Sequence, residues 1–159
     1  MSRNHVRRNS RGQALAEFAI VFPLLMLLFL AVIEFGRFVL TYEALSNAVR
    51  EGTRWAIVHG ANSDCPSGPM PGGGTSPSSC SDPSGAAVKN HVLQYAFTLR
   101  LTADQVTVRW GDPNNHFLPN DNSRGNSVTV TADYTFSPIV PLPLPPIGLT
   151  GRSTLVINH

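Results

Sequence analysis

Charge is scarce in this 159-residue chain: 14% of the residues are Asp, Glu, Lys or Arg, where about 25% is usual for a soluble domain. The shortage is local. From Phe18 to Ile33, sixteen consecutive residues carry no charge at all. Cysteine is nearly absent too, and the two present have no second pair with which to complete a four-ligand zinc site. The five histidines (His5, His59, His91, His116, His159) are scattered, with no HExxH or other close ligand spacing. GxSxG, Walker and dinucleotide fingerprints are missing. Gly72-Gly73-Gly74 lies between prolines and opens no helix, so it is no phosphate cradle. Asp112, Asp121 and Asp133 fall on separate turns or strands, and a calcium site built from them has no loop signature behind it. The expectation is a chain without catalytic residues, metal or cofactor. Its length fits one modest domain.

Charge of one sign is also unevenly placed. Residues 1–12 hold Arg3, Arg7, Arg8 and Arg11 and no acid, leaving eight basic against ten acidic residues in the remainder. The formal +2 therefore describes a tail and not a surface, and nucleic acid is not an expected partner.

What is present is an apolar run. Ala14 to Ile33 reads ALAEFAIVFPLLMLLFLAVI, with Glu17 as its one charge. At about 1.5 Å per residue, twenty helical residues span roughly 30 Å, the thickness of a bilayer's hydrocarbon. The arginine flank precedes the run and mixed signs (Glu34, Arg37, Glu43) follow it, so residues 1–12 are expected in the cytoplasm and the C-terminal part outside. A cleaved secretory signal shares the basic start and apolar stretch. The run is long for such a peptide, however, and VIEFGRFVL after it holds no small-x-small cleavage site. A single-pass anchor in the inner (cytoplasmic) membrane is the better reading, with lipid as a partner and the remainder periplasmic or extracellular. Pro23 removes one backbone hydrogen bond inside the run, which membrane helices tolerate.

Beyond the run, Phe38, Tyr42, Leu45, Val49 and Ala56 keep a 3–4 spacing, and Arg37, Glu43, Arg50, Glu51 and Arg54 fall largely elsewhere. The spacing predicts an amphipathic continuation, one helix over 13–59, ended by Gly60, Asn62 and Ser63.

A carboxylate near the start of a membrane helix requires a reason. Glu17 lies one turn beyond Gln13 on the same face. If the chain were cut after Gly12, Gln13 would become a positively charged amino terminus, Glu17 residue five and Phe18 residue six. The carboxylate could then pair with an ammonium of its own or a neighbouring chain. It could equally be an interfacial residue reaching for head groups. Arg11, Gly12, Glu17, Phe18 and Pro23, then Glu34-Phe35-Gly36-Arg37, Ala44-Leu45, Ala48, Arg50-Glu51-Gly52 and Arg54 form a pattern that resembles the TadE-like family of the tight-adherence (type IVb) pilus system. The resemblance covers residues 11–56. It implies a membrane-anchored minor pseudopilin or pilus-assembly component that meets other pilus or pseudopilin subunits. It also implies a separate prepilin peptidase acting between Gly12 and Gln13, with Glu17 and Phe18 serving subunit pairing and assembly. The alternative is a permanently anchored envelope protein whose exported domain binds a partner or surface.

Cys65 and Cys80 bracket fourteen residues, twelve of them Gly, Pro or Ser, so residues 60–83 read as a loop. No histidine lies within it, and in an exported domain a disulfide is the better reading than half a zinc site. Residues 84–159 read as an exported α+β domain. GAAVKNHVLQYAFTLRL predicts a helix with Ser84 as N-cap and Val88, Val92, Tyr95 and Leu99 as its apolar stripe. Strands are expected over 106–110 and 127–136, with the even-numbered apolar residues inward, and over 152–158. Residues 138–151 hold five prolines within 138–146 and are expected to run extended as a surface connector, though a recognition motif has the same composition. The expected fold class is α+β: a long transmembrane helix extending into a small pilin-like domain with one helix and about three antiparallel strands.

Overall fold

The structure, a computed structural model, describes residues 10–74, 79–111, 120–139 and 145–158. Most of the basic leader, Asp112, His5, His116, His159 and the centre of the proline connector lie outside those residues.

Helix α1 (Ser10–Val58) runs unbroken for 49 residues, and Pro23 does not end it. At about 1.5 Å per residue it is roughly 70 Å long. Its two halves have different surroundings. From Gly12 to Ile33 every side chain except the part-buried Ala31 is exposed. From Glu34 onward one face becomes the wall of a folded domain, with Leu45, Ala48, Val49 and Ala56 almost fully buried. Tyr42, expected in the stripe, is 48% exposed.

The sheet has the order β1–β2–β3, all antiparallel, with β1 (Val106–Trp110), β2 (Ser127–Phe136) and β3 (Ile147–Val156). β2 pairs Val106 with Ala132 on one side and Gly151 with Ala132 on the other. Val128, Val130, Ala132 and Phe136 face the helices, as period-two alternation requires. β3 corrects the sequence reading: it starts at Ile147, five residues before the expected Arg152, and ends at Val156. Its burial alternates only in the first half, where Leu149 and Gly151 turn inward between exposed neighbours. Ile147 to Gly151 are recruited because β2 is long enough to pair with them, Phe136 opposing Ile147. Pairing overrides the weak strand signal of a Gly- and Pro-flanked run.

Two close approaches set the helix layer on the sheet. A Cβ at Gly151 would lie 3.1 Å from the Leu45 side chain of α1, and one at Gly52 would lie 2.2 Å from Val92. Absence of those side chains lets α1 settle on β3 and against helix α2 (Ala86–Tyr95) at short range.

α2 is also shorter than expected, and its start is built differently. Gly85, in left-handed conformation, occupies the N-cap position, not Ser84. Asp82 supplies the acceptor: its Oδ2 takes the N–H of Ala87 at 2.7 Å, while Ser84 Oγ takes the N–H of Ala86 at 3.3 Å and donates to Asp82 Oδ1 at 2.7 Å. After Tyr95 the chain tightens into a 3-10 turn, Phe97–Leu99, and leaves through Arg100 at a φ of 51°. Leu99 is therefore buried from the turn, and Tyr95 points outward at 52% exposure while Ala96 goes inward.

Burial raises the Asp82 carboxyl, but hydrogen bonds from Ser84, Ala87, Ala86 and Ser67 outweigh it and hold the group below its usual 3.8. A carboxyl depressed in the fold stabilises it above the unfolded value and loses that contribution as pH falls through the folded one. Asp82→Ala is expected to cost about 1 kcal/mol at neutral pH, as loss of a helix cap does. Measured by denaturant unfolding, the difference from the parent should shrink in acid, below the ordinary carboxylate range. A difference independent of pH would assign Asp82 no capping charge.

Candidate functional site

The start of α1 brings together the residues singled out at the N-terminal end. Gly12 is the third residue of the helix, within the first turn, where backbone N–H groups have no intrahelical partner. Nothing lies within 4 Å of where its Cβ would be. One turn on, Gln13 Nε2 donates to Glu17 Oε1 at 3.2 Å. Phe18 is 62% exposed and its ring centroid lies 5.3 Å from that of Phe22. Among the described residues no cation is paired with Glu17. A carboxylate with one weak amide donor, on a bare apolar helix, retains most of its hydrogen-bonding capacity.

The apolar rod itself is unpartnered. Leu24 is 74% exposed, Ile20 77% and Leu28 60%, and the other large apolar side chains from Leu15 to Ile33 range from 37% to 69%. Burying a large apolar side chain is worth about 1.5–3 kcal/mol, so leaving fourteen in water forgoes on the order of tens of kcal/mol. The helix has the length and composition to cross a bilayer, and only 6% of its most apolar window is buried within the protein.

A polar joint that sequence reasoning did not single out as a site lies where the rod enters the domain. Glu34 is 8% exposed; its Oε1 accepts from Arg37 Nη1 at 2.6 Å and from the backbone N–H of Ile139 at 3.1 Å. The Arg37 guanidinium sits 5.4 Å above the Phe136 ring, which meets Phe38 edge-on at 5.5 Å. The carboxylate thus ties the helix to the end of the sheet at the upper boundary of the apolar stretch. Its advance signals were the place of Glu34 and Arg37 in the TadE-like pattern, which gives no contact, and the i, i+3 spacing of opposite charges, which by itself reads as a surface pair.

At the far end, the two cysteines form a disulfide, Cys65–Cys80, with Cα atoms 5.2 Å apart. Closing a loop of this size stabilises the fold by about 3 kcal/mol in the chain-entropy model. Composition predicted a loop but not how firmly it is held. Ser67 N–H donates to His59 O at 2.8 Å and Gly68 N–H to Asp82 O at 2.8 Å. Asn122, fully buried, takes its place across the chain: its N–H donates to Pro69 O, its carbonyl accepts from Ala61, and its Nδ2 donates to Ser67 O. Trp110 lies over this loop, and Cβ atoms at Gly68 and Gly85 would meet its ring at 2.4 Å and 2.1 Å.

Two histidines far apart in sequence meet around Trp55. His59 stacks on it with centroids 3.7 Å apart, and His91 lies 5.8 Å away on the other helix. Burial lowers the His91 pKa below its usual 6.5, with His59 adding to the effect and Glu51 opposing it. Among the described residues no three potential ligands gather in a metal-binding group. Asp121 is turned inward, its Oδ1 accepting from Asn126 Nδ2 at 2.7 Å and from Ser123 N–H at 3.0 Å, so it closes a turn of its own and is well separated in role from Asp133, which accepts from Thr150.

Comparison with known proteins separates the two parts of the chain. No curated protein and no solved structure matches it. A family model described as TadE-like protein matches residues 12–54, from the first turn of α1 through the Glu34 joint to the helix's packed half. Over that stretch, bare rod and domain wall together, the chain is similar to the TadE-like family.

Proposed function

We propose that the protein is a membrane-anchored minor pseudopilin or assembly component of a tight-adherence (type IVb) pilus, with no catalytic activity of its own. The observation that carries this reading is the continuity of α1: one helix is bare and apolar for its first half and the wall of a folded domain for its second. Such a rod exchanges lipid for the apolar helices of neighbouring subunits without refolding, because both surroundings bury the same side chains. In this reading residues 1–12 stay in the cytoplasm, α1 crosses the inner membrane, and residues 60–159 stand outside with their disulfide in an oxidising compartment.

A prepilin peptidase releases the leader between Gly12 and Gln13. The new ammonium on Gln13 joins the amide that already reaches Glu17, adding an ion pair to that hydrogen bond in a low-dielectric setting. Mass spectrometry of the native protein, from cells with and without the peptidase, tests the step. The expected chain begins at Gln13 with the enzyme and keeps residues 1–12 without it. A chain that starts at Met1 or Ser2 in both backgrounds would leave a permanent anchor whose outer domain binds a partner or surface.

A further inference from the structure

The edge of the sheet beside α1 is open. β3 is the last strand, and among the described residues nothing pairs with its outer side. Edges of this length are normally blunted by proline, lysine or a bulge, or covered by another segment. In β3, Arg152 is the one charge and there is no proline. Next to it, Asn47, Arg50, Glu51 and Arg54 of α1 and Ser153 and Leu155 of β3 line a shallow groove of about 500 Å³. Leu155 is 39% exposed there, an apolar floor without a cover. The wall is positive: Arg50 is exposed with no carboxylate partner among the described residues, and Arg54, 73% exposed, is only 3.6 Å from Glu51.

We propose that this edge and groove form a docking site for an extended acidic segment of a partner protein, which adds to the sheet as a fourth strand beside β3. The free N–H and C=O groups of β3 supply the pairing, as in other cases of strand addition. Alternate side chains of the incoming strand then fall on opposite faces. An apolar one rests on Leu155, and acidic ones reach Arg50 and Arg54 on the groove side and Arg152 on the other. Charge selects this occupant over a second copy of the chain. Two β3 edges laid together would gather Arg50, Arg54 and Arg152 of both copies along one seam, and like charges across a pair oppose it. The site does not depend on leader processing or on the role of the rod, so it stands apart from the proposed pilus function.

The test uses the full-length protein in non-ionic detergent and a fluorescent octapeptide whose groove-side positions alternate glutamate with valine and whose opposite-side positions alternate threonine with glutamate. Binding is read by anisotropy, and hydrogen exchange is followed over residues 147–156. Expected results are binding that weakens about tenfold or more when lysine replaces the peptide's glutamates, or when Arg50→Glu and Arg54→Glu are combined, because complementary charge becomes repulsion. N-methylation of alternate peptide amides should abolish it, and exchange should slow at alternating β3 amides. Equal binding of the N-methylated peptide would reduce the site to a charged patch and overturn the proposal. So would unaltered binding by the double variant, or β3 protection that grows with protein concentration in the absence of peptide, which would name a second copy as the occupant.

Discussion

Replacing Glu17 with alanine should leave membrane insertion intact and cut pilus assembly by about tenfold or more, the scale of a lost ion pair in a low-dielectric setting. The two readouts are opposed by physics. A carboxylate in an apolar helix makes insertion harder, by about 2.5–3.5 kcal/mol at mid-bilayer and less near an end, so its removal favours the anchored state. In the proposed function, assembly is where the charge is used. Among the described residues Glu17 meets the Gln13 amide alone, at 3.2 Å, and remains exposed on the rod. An ammonium on the processed chain or on a neighbour is the partner that would compensate the carboxylate once lipid is left behind. Glu17→Gln sharpens the point, since it keeps size and hydrogen bonding but not charge. Shed pili quantified against membrane-bound protein give the answer. Normal filament yield with Glu17→Ala would remove the pairing role, and equal loss of inserted protein would make the residue a matter of anchoring.

The second large effect belongs to the folded end. Gly85→Ala should destabilise the domain by about 2–5 kcal/mol, combining left-handed backbone strain with overpacking. Gly85 has a φ of +71°, and an added Cβ would fall 2.1 Å from the Trp110 ring. That ring cannot simply withdraw, because Gly68 lies against it with a prospective contact of 2.4 Å. Domains hold only about 5–15 kcal/mol in all, so the variant should melt at least about 5 °C earlier. Gly36→Ala is the control: nothing lies within 4 Å of its prospective Cβ, and it sits in α1 with no positive φ. It should be neutral or slightly stabilising. Thermal melts followed by tryptophan fluorescence compare the two, and similar midpoints would mean that Trp110 is not clamped by the loop.

The rod was legible in the order of residues because it depends on near neighbours. Sixteen uncharged residues, an arginine flank and a carboxylate five positions after a glycine need no partner elsewhere to be recognised. The even-numbered face of β2 was visible for the same reason, its alternation being a property of one strand. The start of β3 was not, because Ile147 to Gly151 become a strand only through pairing with the distal half of β2. Ser84 looked like a cap, yet the acceptor that matters is Asp82, placed by a loop that first turns back through Ser67.

By itself, then, the sequence determined a bilayer-length apolar helix with a charged start, two cysteines framing a Gly/Pro/Ser loop, and strands of period two. Hydrophobic length, charge placement and local periodicity are properties of contiguous residues, and they act before any fold exists. Tertiary structure decided the rest. Glu34 became a buried joint because Arg37 and the Ile139 amide converge on it, over a separation of 105 residues in the latter case. Asn122 became the pin of the disulfide loop because its amide reaches Ser67, 55 residues away. Polar groups can be buried only where such partners meet them, and that condition is satisfied in space, not along the chain.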